Sequence, residues 1–372
     1  MKTFRCNTRA VRAALQGVAK SVAKSGALPI LSTVFVNVRD GEAIFRTTNL
    51  ETTATYIIPC ENVDTSTMVV DHTQLYATVS AITHETILFE VLETKVVITC
   101  PGVTVEISTA NPEDFPSHHQ ITSDELDNLS SRLLLDVFSR AVVTVAPDTT
   151  RPSLSGVSVS QDPNKEDTVM VASSDGYRMT VVTFSTTWKP EKVILPAPNV
   201  NELLRLAKEN ESTSIAITER FMYATVPFQS VAGRLIDGKY PNVTTILDRT
   251  VEYETATTST QALLAAIKLC RLYVDKNVPK GTLKLHQAMP GMWFLTLTAS
   301  NDHGTVVQDI DVQTTVSKNI EIGLNLAFLE TALKWVSTDV AVLAIGGDKD
   351  PIVVRDVTDQ YSYQHVIMPM TR

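Results

Sequence analysis

The stretches AIFRTTNLETTATYII at 43–58, VMVASSDGYRMTVVTF at 169–184 and FLTLTASNDHGTVVQDI at 294–310 share one layout. Each is a strand-like run, a polar corner and a second strand-like run, which predicts two strands joined by a turn. Aligning the corners places Asn49, Asp175 and Asn301 together, at two equal separations of 126 residues. A helical stretch follows each corner, at 71–82, 197–210 and 323–337, where Leu75, Leu203 and Leu329 correspond. Another helix precedes each corner, at 8–24, 124–141 and 260–273, and each cycle closes in β-rich sequence at Pro116, Pro241 and Pro369. Several landmarks kept in step over two periods define one α+β unit written three times. The period exceeds that of solenoid repeats, so the units are repeated domains. The expected boundaries fall in SHHQITSDELDN and LDRTVEYETA, dividing the chain into 1–120, 121–248 and 249–372.

Composition agrees with this reading. At 372 residues the chain exceeds one hydrophobic core, and 44% hydrophobic with 20% charged residues is ordinary for a folded water-soluble protein. The formal net charge of −9 excludes a protein that is basic all over, but permits a local basic surface. Cys6, Cys60, Cys100 and Cys270 lie far apart without a CxxC pair, which points to reduced thiols rather than structural zinc or a disulfide framework. The N-terminus lacks the apolar core of an export signal and no run approaches eighteen apolar residues, so the expectation is a cytoplasmic protein without a membrane span.

Charge is distributed unevenly. Six helical windows hold eleven Lys and Arg against five Asp and Glu, while the whole chain holds 32 against 41. In the first helix Val11, Leu15, Val18 and Val22 form one apolar stripe, with Arg9, Lys20 and Lys24 nearly opposite. Arg132, Arg205, Lys268 and Lys334 occupy comparable places in the later helices. For a single helix such cations are ordinary solvated side chains. Repeated over equivalent helices, they suit a surface that reads phosphate without reading sequence.

Signatures of catalysis are missing: the chain has no Walker A loop, GxGxxG, HExxH or GxSxG. His118-His119 fall in a presumed connection, and Ser173-Ser174-Asp175 has corner equivalents in the other units, so turn geometry accounts for it.

LPIL at 28–31, TRPSLSGV at 150–157, SDGYRM at 174–179, RLIDGKYPNV at 234–243 and VIMPMTR at 366–372 resemble the bacterial sliding clamps, the β subunits of DNA polymerase III. The resemblance spans the chain and keeps the family's motif order. It implies an α+β fold of three like clamp domains in a head-to-tail homodimeric ring, with helices lining the hole and sheets outside. It implies duplex DNA, the polymerase α subunit, the clamp loader and other polymerases and repair proteins as partners, and no cofactor, metal or catalytic role. The implied groove for partner peptides comprises Leu154, Ser174, Gly176, Tyr177, Arg178, Met179, Pro241, Ile246, Pro351, Val366, Ile367, Met368, Pro369 and Met370. The implied dimer seam joins Leu75, Val79 and Ile82 to Leu272 and Tyr273. Family members usually carry His where Tyr177 stands, Arg where Thr245 stands, Arg where Ser25 stands, a basic pair where Ala197-Pro198 stand and an Arg-Leu-like end instead of Thr371-Arg372. These departures bear on partner choice and single DNA contacts, and motivate a specialised clamp copy as one alternative. The other is an α+β hydrolase-like enzyme with a divergent site.

Overall fold

The computed structural model describes residues 2–24, 28–62, 64–117, 126–147, 150–275 and 278–370. The first expected boundary near 120, His118-His119, Ser25 and Thr371-Arg372 lie outside them. The three quoted corners are built alike. Asn49 Oδ1 accepts from the amides of Glu51 and Thr52 at 3.1 and 2.7 Å, Asp175 Oδ1 from those of Tyr177 and Arg178 at 2.9 and 3.0 Å, and Asn301 Oδ1 from that of His303 at 2.9 Å. A short side-chain oxygen that caps the amides ahead of it turns the chain without help from elsewhere, which explains why an Asx residue recurs at this spacing.

In chain order the first repeat forms β1 (Lys2–Asn7), α1 (Thr8–Val18), β2 (Thr33–Arg39), β3 (Glu42–Thr48), β4 (Thr52–Pro59) and β5 (Glu61–Asn62). It continues with β6 (Ser66–Asp71), α2 (His72–Ala81), β7 (Thr86–Val91), β8 (Lys95–Cys100) and β9 (Val103–Ala110). The second forms β10 (Asp127–Ser130), α3 (Ser131–Val142), β11 (Gly156–Gln161), β12 (Thr168–Ser174), β13 (Arg178–Ser185) and β14 (Val193–Pro196). Then come α4 (Ala197–Lys208), β15 (Ser212–Ile217), β16 (Phe221–Val226), β17 (Gln229–Arg234) and the short α5 (Thr244–Thr250). The third forms β18 (Glu254–Ser259), α6 (Thr260–Cys270), β19 (Lys280–Met289), β20 (Met292–Asn301) and β21 (Gly304–Thr314). It ends with β22 (Ile320–Asn325), α7 (Leu326–Leu333), β23 (Val340–Ile345), β24 (Ile352–Val357) and β25 (Ser362–Ile367).

These elements gather into two compact units, Met1–Leu134 with Asn201–Leu235, and Leu135–Val200 with Ile236–Arg372. The cut passes through the middle repeat because its strands serve two sheets. In the first unit β17 pairs antiparallel with β4, Gln229 opposite Tyr56, within a thirteen-stranded sheet. In the second, β25 pairs antiparallel with β13, Ile367 opposite Arg178, within a twelve-stranded sheet. The strand leaving a corner is thus completed by the last strand of the next repeat.

In the first unit α1 buries Val11, Ala14, Leu15 and Val18. Asn7 caps it by accepting from the amides of Arg9 and Ala10. The helix stops at Val18, short of the expected residue 24, and Val22 is extended and only half-buried. Gly17 admits the Tyr56 ring, which would lie 2.5 Å from any Cβ placed there. The His72 ring meets the Leu15 carbonyl at 2.9 Å, and Arg12 donates to the carbonyls of Val79, Ser80 and Ile82, satisfying the open end of α2. The helix expected from residue 124 begins at Ser131, because residues 127–130 pair with β15 instead.

One expectation is overturned here. Leu75 and Val79 are fully buried, and Ile82 nearly so, within their own unit. Their spacing marks the inner face of α2, and a residue closed into the core has no surface to offer a partner. Leu272, by contrast, is 72% exposed and Tyr273 half-buried. In chemical denaturation Leu75→Ala should cost about 2–5 kcal/mol, and Leu272→Ala should stay within about 0.5 kcal/mol of the parent. Similar losses at both positions would contradict this placement.

Candidate functional site

The corner of the second repeat is held more tightly than the other two. Beyond the amide bonds to Asp175, its Oδ2 accepts from Arg178 Nε at 3.0 Å, and Arg178 also donates to the Val143 carbonyl at 3.2 Å. The guanidinium stacks 4.3 Å from the Phe328 ring centre. Ser174 Oγ donates to the Arg178 carbonyl at 2.8 Å and accepts from the Gly176 amide at 3.1 Å. Gly176 takes a φ of 90°, the left-handed turn that glycine adopts without strain. Arg178 and Ser174 are therefore spent on shaping the corner. Its one free side chain is Tyr177, 70% exposed.

The tail is fastened to this corner. Beyond the β13–β25 ladder the Met368 amide donates to the Tyr177 carbonyl at 2.9 Å, and the Met370 amide to the Gly323 carbonyl at 2.8 Å. Alternation along β25 then sorts the tail residues. Val366 packs with Leu154, Met170, Met179, Tyr240 and Val243, whereas Ile367 belongs to the opposite core with Leu326, Leu329 and Ile352. Ile367, expected in the groove, is thus a core residue, since a one-residue step in a strand changes faces. Met368 is exposed and Pro369 and Met370 are half-buried.

Two cavities flank the Val366 cluster. One, of about 530 Å3, is lined by Ala146, Pro147, Thr150, Arg151, Leu154, Asp175, Gly176 and Tyr177. The other, of about 840 Å3, includes Met170, Ala172, Pro241 and Val243 in its wall. Leu154, Gly176, Tyr177 and Pro241 thus border open space, and Met179 and Val366 lie buried in the cluster beneath. Ile246 is exposed on α5 and Pro351 half-buried ahead of β24, but neither lines these cavities. Burial raises the Tyr240 hydroxyl above the ordinary phenol range, so it stays neutral.

Two polar assemblies that the sequence does not announce fix this region. Arg140 on α3 is buried: it donates to Asp136 Oδ1 at 3.1 Å, to the Trp335 carbonyl at 3.2 Å and to the Tyr361 hydroxyl, with the Tyr361 ring centre 4.3 Å away. His365 is enclosed, its Nδ1 2.9 Å from Thr180 Oγ1 and 3.2 Å from the Tyr363 hydroxyl. Burial, and secondarily the charge of Arg178, pull its pKa down to about 3.

Of the expected DNA-facing cations, Arg9, Lys20, Lys24 and Arg132 in the first unit and Lys268 and Lys334 in the second are exposed. Arg205 is not free. Its Nε binds Glu202 at 2.9 Å and its Nη1 reaches Gln229 at 3.1 Å, because the buried stripe of α4 runs through Val200, Leu203 and Leu206 with Glu202 enclosed beside it. Glu202 also binds Lys20 at 3.2 Å. In the second unit Glu330 plays a comparable part: burial alone would raise its carboxyl, but Lys334 at 2.7 Å and Arg271 hold it below the usual carboxylate range. Buried carboxylates on α4 and α7 thus orient Arg205 and Lys334 beside them and Lys20 and Arg271 just past α1 and α6, the last two pairings being invisible to helical periodicity. Among the described residues no group of three His, Cys, Asp or Glu is placed to hold a metal, and no helix is long and apolar enough to cross a membrane.

Like-folded α+β domains in tandem, with sheets running on from one repeat to the next, define a clamp-type chain. Residues 1–119, 128–242 and 250–371 match the N-terminal, central and C-terminal domains of the DNA polymerase III beta subunit. The beta sliding clamp of Pseudomonas putida is 24% identical over 375 residues, covering 99% of each chain. That of Halalkalibacterium halodurans is 22% identical over 267 residues, 70% of this chain and 68% of that relative. Among solved structures, the sliding clamp of Pseudomonas aeruginosa superposes with a TM-score of 0.89 at 22% identity over the whole of both chains. The clamp of Bacillus subtilis gives 0.91 at 19% identity, covering 100% of this chain and 99% of that one. The chain belongs to the DNA polymerase III beta-subunit family, the bacterial sliding clamps. Its role is that of a processivity factor in DNA replication rather than an enzyme.

The His365 shift carries a sign. The folded ring stays neutral down to about pH 3, whereas an unfolded histidine takes a proton near 6.5, so acid favours the unfolded chain. The stability from keeping this ring neutral is complete above pH 6.5 and drains away as pH falls toward 3. His365→Gln should therefore flatten the decline in denaturation midpoint between about pH 7 and pH 4. An unchanged slope would show that another group sets it.

Proposed function

We propose that two copies of this chain close into a head-to-tail ring around duplex DNA, with domains at 1–120, 121–248 and 249–372. The observation that carries this reading is the pairing rule of the sheets. β4 is completed by β17 and β13 by β25, which leaves one corner strand, β21, and one last strand, β9. Among the described residues β21 pairs with β20 along its length but with β18 only at Gln313 and Thr314. β9 pairs with β8 but with β6 only at Thr109 and Ala110. An open edge on each end seeks a strand, and two unlike edges joined twice give closed twofold symmetry. Tyr273 stands 3.2 Å from the Cβ position of Gly304, the first residue of β21, which favours Leu272 and Tyr273 as seam residues. Encirclement needs few tight DNA contacts, so net −9 and modest helix cations suffice.

The corner and tail of the second unit would take short linear peptides of the polymerase α subunit, the clamp loader and repair proteins. Leu154, Met179 and Val366 supply the apolar floor, Tyr177 and Pro241 the walls, with Met368 and Met370 of the tail beside them, and methionine adapts to more than one ligand shape. The exposed phenol of Tyr177 and the exposed Thr245, where family members usually carry His and Arg, favour a restricted partner set as a second reading. Both readings place the protein in the cytoplasm with the replication machinery.

The native mass should be near twice 40.8 kDa. After loading, nicked circular DNA should keep the protein through a high-salt wash, while linear DNA should release it. Equal loss from both DNAs, or a stable monomer, would refute ring closure. For the groove, Met368→Ala combined with Met370→Ala should weaken capture of a polymerase-derived peptide at least about tenfold, with the thermal melt unchanged. Undiminished capture would place the peptide elsewhere.

A further inference from the structure

The edge strand β5 meets β1 over two residues, Asn62 opposite Phe4 and Glu61 opposite Arg5. Extended one residue beyond the paired rungs, to Cys60 just ahead of β5, this register would set Cys60 opposite Cys6. Residues opposed in an antiparallel pair point to the same face, with Cα atoms about 4.5–5.5 Å apart. That separation lies inside the window a disulfide spans. The two thiols lie close enough that each shifts the proton affinity of the other. Cys6 is buried and Cys60 half-exposed, its backbone held by a 2.8 Å hydrogen bond from its amide to the Gly41 carbonyl. Cys100 and Cys270 are both buried elsewhere, Cys270 donating to the Leu297 carbonyl at 4.0 Å.

We propose that Cys6 and Cys60 form a reversible redox site, closing to an intrachain disulfide when the protein meets a hydroperoxide. The half-exposed Cys60 reacts first. Its sulfur attacks the peroxide, an S–O bond forms as O–O breaks, and the thiol proton leaves with the departing oxygen as water or alcohol. The Cys6 sulfur then attacks the Cys60 sulfenic sulfur. The S–S bond forms, S–O breaks, and the released hydroxide takes the Cys6 proton as a second water. The sulfur pair has given two electrons to the peroxide.

The closed form would clip β5, which has only a two-rung ladder, to the strand that enters α1. It would also bridge a loop containing β2, β3 and β4, which constrains the unfolded chain. Burial raises both thiols, Cys6 beyond the ordinary range and Cys60 less so, its increase opposed by Cys6 and aided by Glu42. The pair is therefore mostly protonated at neutral pH, and closure should quicken as pH rises.

The test uses the full chain treated with hydrogen peroxide and mapped by mass spectrometry without reduction. The expected result is a linked Cys6–Cys60 peptide, loss of two of the four titratable thiols, and a melting temperature higher by roughly 3 °C or more that dithiothreitol reverses. Cys60→Ser, at the half-exposed position, should abolish the shift and leave Cys6 reduced under the same dose. Oxidation of Cys60 to sulfinic acid with Cys6 intact, a bond between two chains, or equal oxidation of Cys6 in Cys60→Ser would each overturn the proposal.

Discussion

Backbone pairing between the strand that leaves one corner and the last strand of the following repeat is the constraint on which the rest depends. It makes β4–β17 and β13–β25 continuous ladders, so the first repeat runs on into the second and the second into the third. A sheet edge is a row of unsatisfied donors and acceptors, and antiparallel register leaves little freedom once one face is buried. The middle repeat consequently divides between two compact units. The same constraint creates the corner-and-tail pocket, because the Met368 amide continues the β13–β25 ladder to the carbonyl of Tyr177.

Polar side chains set the geometry around that framework. Asp175, Ser174 and Arg178 hold the corner rigid and leave Tyr177 as its outward group. Arg140 ties α3 to the turn before β25 through Trp335 and Tyr361. On the helices Glu202 and Glu330 each hold two cations. An ion pair with one partner buried is costly to leave incomplete, so these carboxylates orient their cations more firmly than surface pairs would. Positive charge stays on the helix faces although the chain as a whole is acidic.

Much of the fold was legible because its signals are local. An Asx residue caps the amides directly ahead of it, so Asn49, Asp175 and Asn301 reveal equivalent corners through spacing alone. The α1 stripe of Val11, Leu15 and Val18 is equally local. The misreadings share a cause. Leu75 and Val79 are apolar on any view of α2, and only packing decides whether such a face is core or seam. Ile367 follows Val366 in an unbroken apolar run, where periodicity is silent about which residue faces which core. Arg205 reads as a surface cation until its helix is seen to hold the buried Glu202 beside it.

The sequence by itself determined the threefold α+β unit, its corners and most of its helices, since turns, caps and amphipathic stripes are fixed by residues a few positions apart. It also carried the family, because the motif residues at the corner and the tail are linear strings. Tertiary structure alone decided which repeat completes which sheet, which cations remain free, and that Cys6 comes close to Cys60. Those outcomes depend on strand register and burial between residues distant along the chain, and a single sequence encodes them without displaying them.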